Sequence, residues 1–160
     1  MIQFGDLTSP PMAWTVFSET YPDEAIVGPV VAPIEWTPGR QLELVRGNAD
    51  VNDAIKPIPN DQPKTGDPWL IMPAQGDCHD YAVSKRARLL AQGWPESHLL
   101  LAECEIRDTG EHHLVLIVQT TRGDFVLDNL SPAIIAWEHK PYRWLRVQKP
   151  ENPNYWARIE

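Results

Sequence analysis

Cys78 follows Gly76-Asp77 at the start of the strongest helical pattern in the chain. Free N–H groups and the helix dipole at such an end favour an anion. A thiol placed there has its pKa lowered, and the thiolate is the form that attacks. A nucleophilic cysteine needs a base, and the base needs an acceptor that orients it. His113 and Asp128 can supply both. They would lie near the same edge of a sheet if their strands pair through a turn at Gly123. Singly, each residue has an ordinary reading: a buried structural cysteine, a strand-terminal surface histidine, an aspartate before a turn. Jointly, a helix-start Cys, a strand-start His and a strand-end Asp point to acyl transfer through a thioester.

The elements that must position them follow from periodicity. Residues 78–92 carry a broad apolar face of Ala82, Val83, Ala87, Leu89 and Leu90. Asp77 is a good N-cap, Asp80 sits at the capping-box position, and Gly93 suits the C′ position. Strands are expected at 99–106, 113–119 and 125–127, with further ones at 134–137 and 143–147. Residues 40–56 read as a helix with Leu44, Val45, Val51 and Ile55 on its apolar side, weakened by Gly47 and Asn48. Residues 57–76 read as a loop. Residues 1–39 read as an extended arm anchored by Phe4, Trp14, Phe17, Tyr21 and Trp36, with a short helix near 14–20. Eleven of the 16 prolines lie in residues 1–73, which favours irregular structure there. A central helix followed by an antiparallel meander is an α+β arrangement.

The chain has 160 residues, the size of one domain, so 1–160 is expected to fold as a unit, with 1–39 as arm and 40–160 as core. Its net charge of -8 repels phosphate, and nucleic acid is not an expected partner. The longest apolar runs, such as 114–118, are far shorter than the ~20 residues of a membrane helix. A basic n-region with an apolar h-region is missing, and no Lys or Arg precedes Arg40. A cytoplasmic location is therefore expected. Cys104 reads as a small buried hydrophobe, and His98 and His139 as surface or loop histidines.

Gly76-Asp77-Cys78-His79-Asp80-Tyr81-Ala82, followed by Lys85-Arg86, resembles the GDCxDYAxxKR signature of the bacterial transglutaminase-like cysteine proteinases. Residues 110–116 are similar to that family's GEGHAVL segment, which aligns its histidine with His113 and not His112. Residues 122–130 resemble its RGDxVLDNL segment, and residues 45–57 its VNxxVNxxIxP helix. The resemblance runs from about residue 10 to residue 158. It implies a papain- or transglutaminase-like fold and a peptidase acting on a protein or peptide. Cys78 would be the nucleophile, His113 the general base and acid, and Asp128 its orienter. The Cys78 amide is expected in the oxyanion hole, with the Trp69 indole or the Gln75 amide as second donor. No cofactor is implied.

Two departures matter. Many secreted relatives carry an acidic residue after the nucleophile and bind calcium there. Here that residue is His79, so Asp77 and Asp80 are expected to bind calcium weakly or not at all. Ser18 and Ala25 replace a cysteine pair of secreted members, which fits a reducing compartment in a bacterium or bacteriophage. Zinc would have to draw on Cys78, His79, Asp80, Cys104, His112 and His113, but their spacing matches no zinc pattern. Two alternatives remain beside peptide hydrolysis: acyl transfer to amines, and a non-catalytic binding or virion-associated module on the same fold. Nothing in the chain signals an oligomeric state.

Overall fold

The run 114–118 is apolar at every position, although a strand alternates its faces, so this strand must be covered on both sides. The structure, a computed structural model that describes residues 1–58 and 68–160, bears this out. Strands β4 (Leu99–Ile106) and β5 (His112–Thr120) pair antiparallel at the centre of a seven-stranded sheet. Leu99, Leu101, Leu114 and Leu116 face one core, with Val83 and Leu89 from helix α3 (Cys78–Ala91). Leu100, Ala102, Val115 and Ile117 face a second core with Tyr142 and Val147.

From β5 the chain turns through Gly123, whose φ of 134 needs no Cβ, into β6 (Gly123–Asp128) and then β7 (Ser131–Ala136). Strand β8 (Tyr142–Lys149) does not extend this meander. It returns to pair with β4 on the opposite side, and β9 (Asn152–Ile159) follows it. The expected simple meander is corrected to the order β1-β9-β8-β4-β5-β6-β7, in which β1 is Phe4–Thr8.

The arm is also corrected. Phe4–Thr8 is a strand, β1, and it forms the sheet edge against β9. A partner from the far end of the chain supplies its ladder, so local pattern could not reveal it. After β1 comes helix α1 (Met12–Thr20), which buries Trp14 and Phe17. The buried Arg86 of α3 then ties the arm down. Its guanidinium donates to the carbonyls of Glu24 at 2.6 Å and Leu99 at 3.3 Å, and lies over the Trp14 ring.

Helix α2 (Pro38–Ala54) begins two residues earlier than expected, because Thr37 caps it by accepting from the Arg40 amide at 3.2 Å. Leu44, Val51 and Ile55 are buried, but Val45 is exposed and lies off the apolar side. Gly47 and Asn48, read as weak points, are the buried contact positions. A Cβ on Gly47 would sit 3.6 Å from the Leu89 side chain, so the small residue lets α2 approach α3. Two short parallel strands, β2 (Lys56–Pro57) and β3 (Gln75–Gly76), bracket the segment 59–67, where part of the expected loop lies outside the described residues. His98 is not a surface histidine. It is buried, with its ring between the Gln119 side chain and the Val31 carbonyl.

Candidate active site

Helix α3 starts where the sequence places it, and its first turn is fixed from both sides. Asp77 Oδ1 accepts from the His79 amide at 3.1 Å, and Asp80 Oδ2 accepts from the Asp77 amide at 3.0 Å. This reciprocal box satisfies two of the orphan N–H groups and aims the rest outward. Asp80 Oδ1 also takes the Leu70 amide at 2.7 Å, so one carboxylate joins the helix to the loop before it. Gly76 is required here. A Cβ on it would fall 2.8 Å from the Asp80 Cβ.

Cys78 opens this helix half-buried, at one wall of a groove of about 330 Å³. His113, His79, Ile106, Asn129 and Leu130 also line it. Burial pushes the Cys78 thiol up, but interaction with His113, and then with His79, outweighs this and brings it down to about 6.

His113 and Asp128 fall at the same end of the β5–β6 pair, since Leu116 opposes Leu127 across it. His113 Nε2 lies 2.8 Å from Asp128 Oδ1. Burial alone would depress the imidazole pKa, but the Asp128 hydrogen bond and Cys78 raise it to about 9. Asp128 is buried yet held well below the usual carboxylate range. The desolvation cost is exceeded by His113, by the Tyr142 hydroxyl that donates to Oδ2, and by the Leu130 amide at 3.0 Å on Oδ1. The Lys140 ammonium lies 3.0 Å from Oδ2.

The backbone of Asp128 is also held. Its amide donates to Asn48 Oδ1 at 3.1 Å, and its carbonyl accepts from Asn52 Nδ2 at 3.1 Å. Asn48, Lys140 and Tyr142 went unrecognised in the sequence. Tyr142 and Lys140 follow a turn and carry no pattern. Asn48 gave one usable signal: an amide inside a helical pattern, on the buried side, needs partners.

The structure thus brings Cys78, His113 and Asp128 together. Trp69 and Gln75, the expected second oxyanion donors, lie beside the first turn of α3. Trp69 is buried with its ring stacked on His79 at 5.2 Å, and Gln75 is exposed on β3; neither lines the groove. Of the six residues weighed for zinc, Cys78, His79, His112 and His113 line the groove, and Cys104 does not. His112 points to solvent opposite Glu103, while Cys104 is buried and donates to the His113 carbonyl. Burial pushes the Cys104 thiol far up, which leaves it inert.

Solved structures of Legionella pneumophila LapG resemble this chain. The calcium-bound form has a TM-score of 0.64 at 19% identity, covering 91% of this chain and 78% of that one. An EGTA-treated form has a TM-score of 0.62 at the same identity, covering 91% and 76%. The likeness bears out the expected transglutaminase-like fold. No curated protein sequence matches the chain. The residues here do not fit calcium. Both Asp80 oxygens are occupied by backbone amides, Asp77 Oδ1 serves His79, and the neighbouring donors are a thiol and an imidazole rather than oxygens. The model of the family described as bacterial transglutaminase-like cysteine proteinase matches residues 4–160. With nearly the whole length matched, the chain belongs to that family and is a cysteine peptidase.

Proposed function

We propose that the enzyme hydrolyses amide bonds of a protein or peptide through a Cys78–His113–Asp128 triad. One observation carries this reading. The His113 ring commits Nε2 to Asp128 at 2.8 Å, which leaves the other nitrogen for the Cys78 thiol. Asp128 fixes the tautomer and stabilises the imidazolium. The Cys78 proton rests on His113, so the thiolate is present near neutral pH.

In acylation, the sulfur forms a bond to the substrate carbonyl carbon and the C=O electron pair moves to oxygen. The Cys78 amide, at the helix start, is the natural donor to that oxyanion. When the intermediate collapses, the C–N bond breaks, the nitrogen takes the His113 proton, and the amine leaves. Water then attacks the thioester while His113 accepts its proton. The C–S bond breaks, the acid departs, and the thiolate is restored.

The test is alkylation of Cys78 and Cys104 by iodoacetamide against pH, read by peptide mass spectrometry. Cys78 is expected to react rapidly below pH 7 and to lose that reactivity in His113→Ala. A Cys78 as inert as Cys104, or indifferent to His113, would overturn the triad. Incorporation of a labelled amine into a glutamine-containing protein, in place of hydrolysis, would make an amine and not water the acceptor.

A further inference from the structure

The Cys78 sulfur has a second imidazole beside it. A ring nitrogen of His79, a carboxylate oxygen of Asp77 and the Cys78 sulfur all lie within 4.8 Å of one another. Two contacts fix the His79 ring. Its Nδ1 lies 3.1 Å from Asp77 Oδ1, which accepts, and its face lies on Trp69 with 8° between the planes. Trp69 is itself buried against Phe17, so the platform is rigid. His79 lines the same groove as His113.

We propose that His79 is a second catalytic imidazole, a fixed donor to the Cys78 sulfur that never hands its proton to substrate. The inference rests on the triad reading and deepens it. The ring nitrogen nearest the sulfur lies within 4.8 Å of it, close enough for a cationic ring to stabilise the thiolate. A donor to both Asp77 and Cys78 must be an imidazolium. The surroundings favour that form. Burial works against it, but Asp77 and then Cys78 raise its pKa to about 10. Across the groove stand Glu111, His112 and His113, and Asp80 lies on the same turn.

The two imidazoles divide the work. His113 exchanges its proton with the leaving amine and with water. His79 is pinned between Asp77 and Trp69 and remains a cation throughout. It stabilises the thiolate before attack, and the departing thiolate when the thioester is hydrolysed.

The experiment compares two alkylating agents at Cys78, the anion iodoacetate and the neutral iodoacetamide, across pH. Wild type, His79→Gln, His79→Lys and His113→Ala are measured, with Cys104 labelling as the monitor of intact folding. A fixed imidazolium predicts that His79→Gln raises the thiol midpoint by about one unit, a tenfold loss of thiolate on the acid side. It also predicts a fall in the iodoacetate-to-iodoacetamide rate ratio, and recovery of that ratio in His79→Lys. If His79→Gln matches wild type in both readouts while His113→Ala does not, the second imidazole is overturned and the triad stands. If His113→Ala alone leaves Cys78 unchanged, the triad fails and the His79 result is judged by itself. A lost ratio that His79→Lys fails to restore, in protein whose Cys104 stays protected, would also overturn the cationic role.

Discussion

Asp128 holds His113 with one oxygen and is itself held by Tyr142 and Lys140 through the other. The carboxylate proposed to orient the base is thus locked from the far side. A side chain with both oxygens occupied cannot rotate to offer the base a different geometry.

Asp128→Asn should therefore damage the chemistry more than the fold. The amide keeps the shape and one acceptor, but it no longer stabilises the imidazolium. The His113 pKa should fall, and the Cys78 thiol should rise toward its ordinary value. Loss of the orienting carboxylate in Ser-His-Asp enzymes costs up to ~10⁴ in turnover. Turnover of p-nitrophenyl acetate should fall by about 10²–10⁴, with circular dichroism unchanged. An active Asp128→Asn enzyme would remove Asp128 from the mechanism.

The pH profile has a definite sign at each limb. The proposed reactive pair needs Cys78 ionised and His113 protonated. As pH falls through about 6 the thiolate takes a proton, and as pH rises through about 9 the imidazolium loses one. The two groups titrate as a pair, so these are apparent values of the dyad. For an amide substrate, kcat/KM should describe a bell between these limbs. Measurement with a fluorogenic peptide would check it. A single rise near pH 9 would mean that the thiolate is not pre-formed.

Much of this was legible in the chain, for unequal reasons. The Cys78 helix and strand β4 were readable because cap, periodicity and turn residues agree within one short window. His113 and Asp128 were readable because the pairing that joins them is local. Strand β1 was not, since its partner β9 lies at the other end of the chain. Asn48 was misread as a helix-weakening residue, because its reason for being there is the Asp128 amide 80 positions later. Gly47 was misread likewise, because the demand on it comes from Leu89. Propensity describes the local cost of a residue and not the distant contact that offsets it.

Lys140→Met tests the lock on Asp128. The ammonium draws charge from the carboxylate that also serves His113, so removing it leaves the full anion to the imidazolium. The alkaline limb should move upward, and the thiol limb should hardly move. A downward shift of the alkaline limb would show that Lys140 keeps Asp128 ionised rather than competing for it.

Gly76→Ala should disorganise the start of α3 without touching a catalytic group. The added methyl would collide with the Asp80 carboxylate, which holds the Asp77 and Leu70 amides. Loss of such a cap costs about 0.5–2 kcal/mol. Tm should fall, and the Cys78 alkylation midpoint should rise as the helix start loosens. A stable variant with an unaltered thiol would mean that the box is dispensable for the nucleophile.

Lys85 lies two turns along α3 from Cys78 and is fully buried, its ammonium without an acceptor among the described residues. It sits over the Tyr81 ring at 5.8 Å. Burial pulls its pKa down to about 7, against the opposing pull of Asp128. The folded state thus prefers the neutral amine, whereas the unfolded chain keeps it charged up to about 10.5. The resulting penalty is complete below pH 7 and shrinks as pH rises toward 10.5. Lys85→Met, similar in shape and uncharged, should stabilise the protein by on the order of a few kcal/mol below pH 7. The gain should fade in melts recorded near pH 10. A variant less stable at every pH would mean that the Asp128 field at Lys85 outweighs its burial.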